Sequence, residues 1–249
     1  MASPSVPHPP PTTEPAAQKS LRVVFAMPGR TFSREFLISW SGLLSECIGR
    51  GVTPILSQHY SSVVHFARSK CLGADVTQGA DQKPFQGKLP YDYIMWIDSD
   101  VIFNPADFFK LLESPHDVTC GLYMMDDRKS FAAVKDWDIA HFQENGTFRF
   151  LDQAAVDATL DERYVPVSYS GMGWMLMRAG VMEGLAYPWF SHDLQRIPPP
   201  PASSGEGGGR EMVDMCSEDV ALCRNLAEAG VRVHVDKTCR VGHLKSFVI

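Results

Sequence analysis

The chain of 249 residues predicts an α/β fold, a mixed and mainly parallel sheet flanked by helices. Three observations carry that expectation. Between residues 21 and 124, short apolar runs of strand length alternate with segments whose apolar residues fall at helical spacing. The run Ile94-Met95-Trp96-Ile97 shows no in-and-out alternation, which suits a strand covered on both faces. An apolar share of 45% and a charged share of 21% are enough to fill a sizeable core.

Residues 1–19, rich in Pro, Ser and Thr, are expected to form a disordered tail ahead of one domain over 20–249. "LRVVFAMPG" (21–29) reads as a buried strand ending in a Pro-Gly turn. "SREFLISWSGLLSECIGRG" carries Phe36, Trp40, Leu43, Leu44 and Cys47 at helical spacing and ends at Gly49 or Gly51. "VTPILSQ" reads as a second strand and "SVVHFARSKCLG" as a second helix stopped by Gly73. After a third strand at 91–98, Asn104 caps a helix with Pro105 in its first position, and "DVTCGLYM" is a further strand. Strands joined in this way by helices imply right-handed crossovers between parallel neighbours.

The second half is less regular. "SFAAVKDW" and "GTFRFLD" read as antiparallel strands, and "YVPVSYSGMGWMLMRAG" as a strand entering a glycine-containing turn. "IPPPPASSGEGGGR" is too rich in Pro and Gly for a core element and is expected to be a flexible loop at 197–210. "SEDVALCRNLAEAG" reads as a helix with Ser217 as cap and Gly230 as stop, and "VRVHVD" alternates as a strand.

A net charge of −6 argues against nucleic acid as the main partner. No stretch approaches the roughly 20 apolar residues of a membrane span. The first residues lack the hydrophobic segment of a secretory signal, so a cytoplasmic location is expected. Cys47, Cys71, Cys120, Cys216, Cys223 and Cys239 lack CxxC spacing and read as buried reduced thiols.

The chemistry begins where the third strand ends. Asp98 and Asp100 follow the most apolar short segment at once, and two neighbouring carboxylates need a cation, a substrate hydroxyl or a shared proton between them. In open α/β sheets, ligands sit beyond the carboxyl ends of the strands. Two enzyme classes use Asp-x-Asp there. "DSDV" fits the pattern of haloacid-dehalogenase-type phosphatases, with Asp98 as phosphoryl acceptor. That class usually carries the motif on its first strand and needs a later acidic pair after a Gly-Asp turn, and this chain shows neither. A non-catalytic sugar-binding protein is a third possibility. The order "DSD", "SYSGMGWML", "SEDVALC" and "VGH" resembles GT-A-type glycosyltransferases, which use nucleotide-diphospho-sugars, over about residues 21–245. The compact form is similar to glycosyltransferases of large algal viruses.

That resemblance implies a GT-A (Rossmann-like) domain, a UDP- or GDP-linked sugar donor, a carbohydrate or glycoprotein acceptor, and Mn²⁺ or Mg²⁺ as cofactor. Asp100, Asp98 and His243 would form the metal site. Pro28, Gly29, Arg30, Arg68, Asp98, Ser99 and Lys245 would bind the donor. Gly171, Gly173, Trp174 and Trp189 would line the sugar and acceptor pocket, with Asp126 and Asp127 near sugar hydroxyls. Asp219 would be the catalytic base with Glu218 beside it, although acids in a first helical turn also complement the helix dipole. Inversion is expected, because the chain offers one base and no separate nucleophile. Front-side retention, which needs no protein nucleophile, stays open.

Overall fold

The computed structural model describes residues 20–159, 162–199 and 210–245. It opens with β1 (Leu21–Pro28), α1 (Arg34–Gly49), β2 (Val52–His59), α2 (Val64–Cys71) and β3 (Tyr93–Ile97). The middle contains β4 (Val101–Ile102), α3 (Pro105–Leu112), β5 (Val118–Leu122), β6 (Ser130–Val134), α4 (Ile139–Asn145), β7 (Phe150–Asp152) and α5 (Gln153–Asp157). Then come β8 (Tyr164–Val167), β9 (Tyr169–Ser170), β10 (Trp174–Arg178), β11 (Leu194–Ile197) and β12 (Met212–Met215). The chain closes with α6 (Glu218–Glu228), β13 (Val233–Arg240) and β14 (Gly242–His243).

Seven strands form the main sheet in the order β2-β1-β3-β10-β5-β13-β8. β2, β1, β3, β5 and β13 run one way, and β10 and β8 the other. The sheet is therefore mixed and mainly parallel. Side-chain alternation along its strands divides the core in two. Val24, Ala26, Ile94 and Trp96 pack with Cys71 of α2 and with Leu222 and Leu226 of α6. Val23, Phe25, Met95 and Ile97 pack with Phe36 and Leu43 of α1 and with Phe108 and Leu111 of α3. Local caps fix the helix starts: Ser33 Oγ accepts from Phe36 N–H at 3.0 Å, and Asp107 accepts from Asn104 N–H at 3.2 Å.

The structure departs from the sequence reading in three places. "YVPVSYSGMGWMLMRAG" is not one strand; it breaks into β8, β9 and β10, and β10 lies antiparallel between β3 and β5. Trp174, Met175, Leu176 and Met177 are all buried, as a central strand requires. α4 occupies a segment with no expected element, started by Asp138, whose carboxylate accepts from His141 N–H at 2.9 Å. The ends of the expected loop pair as a hairpin, from Leu194 opposite Met215 to Ile197 opposite Met212. Residues 200–209, like the expected tail at 1–19, lie outside the described residues. All six cysteines are free and buried. Among the described residues no helix is long and apolar enough to cross a membrane.

On β13, the His234 ring stacks on His116 at 3.5 Å and 7°. Burial, and then the neighbouring His116, hold His234 below the ordinary histidine range. As pH falls through that ordinary range, the unfolded chain takes up this proton before the folded one, so stability drops. Urea unfolding is therefore expected to show wild type losing more stability than His234→Gln between pH 7.5 and 5.5. Equal losses would contradict a neutral, half-buried His234.

Candidate active site

The acidic turn after β3 is held from two sides. Asp98 N–H donates to Gly173 O at 3.1 Å, and Val101 N–H closes the turn on Asp98 O at 3.1 Å. Across from it, the backbone of Gly29 lies against Ser99; a Cβ at residue 29 would fall 2.7 Å from Ser99 Cβ. Only glycine allows this approach. Gly29 is further tied to β2 by its N–H to His59 O at 3.0 Å and by Gln58 Nε2 donating to its carbonyl. Pro28 is buried and presents no surface. Gly29, Ser99 and exposed Arg30, whose guanidinium lies 5.7 Å from the Tyr60 ring, form the rim at the carboxyl ends of β1, β2 and β3.

A two-residue ladder delivers the late histidine to this rim. β14 pairs with β4, His243 opposite Val101, and Leu244 N–H donates to Asp100 O at 2.7 Å. His243 Nδ1 donates to Met124 O at 2.9 Å, because a carbonyl can only accept, and Nε2 then faces Asp100 Oδ2 at 3.0 Å. Lys245 Nζ lies 3.3 Å from the same oxygen and 3.4 Å from Asp126. Burial pushes the Asp100 carboxyl upward, but the His243 hydrogen bond and the two neighbouring charges outweigh it and hold it low. The bond to Asp100 raises His243 against its own burial.

A carboxylate oxygen and an imidazole nitrogen facing each other at this distance can be bridged by a proton on Nε2 or by a metal ion in its place. A hard oxygen with a borderline nitrogen is a donor set that fits Mn²⁺ better than Mg²⁺, which prefers oxygen alone. Asp98 does not join them: its oxygens lie 3.0 and 3.1 Å from Arg68 Nη1 and Nη2. Among the described residues no three His, Cys, Asp or Glu side chains gather as a metal site. The protein thus brings two donors, Asp100 and His243, to one point.

Arg68, expected at the donor, is buried, and its Nε donates to Glu218 Oε1 at 3.0 Å. The two acids that open α6 therefore part company. Glu218 is buried and occupied by Arg68, while Asp219 is half-buried and makes no contact with Arg68. Asp219 accepts from Tyr169 Oη at 2.8 Å, from Val220 N–H at 2.9 Å and from the Ser217 hydroxyl. Ser217 sits at the cap position but donates to Asp219 instead of capping the backbone. Burial, then the Asp219 charge, push the Tyr169 phenol far up, so it stays a hydrogen-bond donor.

Four expected sugar-site residues belong to the interior. A Cβ at Gly171 would fall 2.1 Å from Tyr123 Oη, and Gly173 N–H donates to that oxygen at 3.2 Å. The glycines make room for a buried phenol, whose ring also packs edge-on to His243 at 5.2 Å. Trp174 and Trp189 are fully buried, against Phe103 at 4.5 Å and Tyr187 at 5.2 Å. Trp174 follows a glycine and Trp189 a proline, and each precedes a large apolar residue, which reads the same for a core ring as for a sugar platform. Asp127 accepts from Lys129 and Ser130 N–H at 2.9 Å and so shapes a turn. Two half-exposed aromatics lie beside Tyr169, Phe150 and Trp137, each 6.3 Å from its ring, and Trp137 also lies 4.7 Å from Phe148. With Phe148, Arg196 and Arg224 it borders a cavity of about 220 Å³. Tyr60, Tyr123, Trp137 and Tyr169 escaped sequence analysis because an isolated aromatic carries no spacing signal.

No family model matches the chain, and no curated protein matches it. Solved structures resemble it distantly. "A197 from STIV" is 13% identical with a TM-score of 0.49, covering 91% of this chain and 87% of that one. "GalNAc-T7 with UDP, GalNAc and Mn2+" is 11% identical with a TM-score of 0.42, covering 93% of this chain and 45% of that one. The chain thus spans less than half the length of the second protein. Likenesses this distant leave the chemistry to be read from the chain's own side chains.

The placement of Trp189 is open to test. Trp189→Ala is expected to lower stability by about 3–5 kcal/mol, measured by urea unfolding, as for a large ring removed from a packed core. A loss below about 1 kcal/mol would return Trp189 to the surface.

Proposed function

We propose that this chain is a metal-dependent glycosyltransferase of GT-A type, moving a sugar from a nucleoside-diphosphate donor to a hydroxyl acceptor with inversion. One observation carries the reading. The cation-ready Asp100–His243 pair and the oriented carboxylate of Asp219 belong to two groups of residues joined by a single buried guanidinium. One group suits a leaving diphosphate and the other an attacking hydroxyl.

Asp100 and His243 would hold Mn²⁺ or Mg²⁺, which supplies charge neutralisation for the departing diphosphate. Lys245 adds positive charge on the same side. Gly29, Arg30, Tyr60 and Ser99 border the nucleotide, with the Arg30–Tyr60 pair offering a stacking surface. Asp219 accepts the acceptor's proton as the new C–O bond forms and the bond between sugar carbon and phosphate oxygen breaks, its electron pair leaving with the diphosphate. The donors on Asp219 fix its direction: Ser217 and Val220 occupy Oδ1 and Tyr169 one side of Oδ2, which leaves a lone pair on Oδ2 for the incoming proton. Trp137 and Phe148 give the acceptor an apolar face beside the base.

The phosphatase reading fares less well. Both oxygens of Asp98 face Arg68, so the nucleophile of that mechanism would have to leave its ion pair with a buried arginine to attack phosphorus.

Two mutations test the proposal. Asp100→Asn keeps the side-chain shape and removes the charge that holds the cation, so transfer is expected to vanish with the thermal transition intact. Full turnover at limiting Mn²⁺ would contradict the metal role. Asp219→Asn is expected to lower kcat by about 100-fold or more with donor affinity little changed. NMR of the fresh wild-type product should show the opposite anomer to the donor; the donor's own configuration would exclude inversion.

A further inference from the structure

Arg68 is 3% exposed and reaches three elements at once: it sits on α2, grips Asp98 at the end of β3, and grips Glu218 at the start of α6. Glu218 is separated from it by 150 positions in the chain and Asp98 by 30. Nε and Nη2 make aligned hydrogen bonds, while Nη1 lies 3.0 Å from Asp98 Oδ1 without hydrogen-bond alignment. The guanidinium also lies 5.8 Å from the ring of fully buried Trp96. No surface of the arginine is left for a nucleotide.

We propose that Arg68 is a positioning residue that sets the distance and angle between the two halves of the site. The inference rests on the glycosyltransferase reading above. Asp100 lies two residues beyond Asp98, and Asp219 directly follows Glu218. Fixing Asp98 and Glu218 on one planar guanidinium therefore fixes the leaving-group side against the acceptor side. A planar fork holds two carboxylates at set angles, whereas an ammonium would hold them only as a point charge. The grip also turns Asp98 away from Asp100 and leaves the cation position to Asp100 and His243.

This role separates two reactions of one donor. Hydrolysis of the sugar–diphosphate bond by water needs the leaving-group side, while transfer to a sugar hydroxyl also needs Asp219 in register. In Arg68→Lys, transfer to methyl glycosides is expected to fall at least about 30-fold further than hydrolysis, in kcat and not in donor KM. The wild type would be tested with UDP-glucose, UDP-N-acetylglucosamine and GDP-mannose, with Mn²⁺ present. Glu218→Gln should give the same partition, and the double variant should be no worse than the more damaging single one. If Arg68→Lys does not fold, Glu218→Gln alone decides the partition. Hydrogen exchange supplies a readout without turnover: amides of Asp98–Asp100 and of the first turn of α6 should lose protection together in Arg68→Lys. A parallel fall in hydrolysis and transfer, additive effects, or loss of protection on one side alone would reduce Arg68 to a structural ion pair. If the wild type cleaves no donor while the exchange result holds, the glycosyltransferase reading fails and the mechanical coupling stands.

Discussion

Where β3 leaves the interior, the chain passes from four fully buried apolar residues to a carboxylate within one step. Removing a charge from water here costs several kcal/mol unless a partner compensates it, and removing one member of such a pair costs about 3–5 kcal/mol. Asp98 meets that demand through Arg68, and Arg68 meets its own through Asp98 and Glu218. The arrangement confines the next acid, Asp100, to a rim where His243 and Lys245 can reach it. Much of the site geometry follows from this neutralisation: a buried Glu218, an Asp219 clear of Arg68, and one carboxylate left to face a cation.

The fold was legible where its signals are local. Apolar runs, the Asn104 cap and the glycine stops placed β1, α1, β2, α2, β3 and α3, because each depends on residues a few positions apart. β10 was not legible as a central antiparallel strand, since its place between β3 and β5 rests on pairings far apart in sequence. α4 was overlooked because its seven residues show too little periodicity, although Asp138 and Gly146 mark its ends.

The candidate site was legible in its acids and opaque in its partners. Asp98, Asp100, Asp219 and His243 stand out by residue type and order, and the structure gathers Asp100 with His243 while setting Asp98 apart. Burial decides which side chains face a ligand, and burial is a tertiary property. A tryptophan beside a glycine or a proline reads alike as platform or core until its packing is known, as Trp174 and Trp189 show. The phenols of Tyr123 and Tyr169 likewise acquire meaning only through the glycine space one fills and the carboxylate the other holds.

The most direct test of the central claim is the identity of the product released from nucleotide sugars. Purified protein would be incubated with UDP- and GDP-sugars, with Mn²⁺ or with EDTA, and the nucleotide and phosphate products separated. Release of the nucleoside diphosphate that requires the metal is the predicted result. Cleavage between the two phosphorus atoms, giving a nucleoside monophosphate and a sugar phosphate, or sugar binding with no cleavage of any donor, would contradict it.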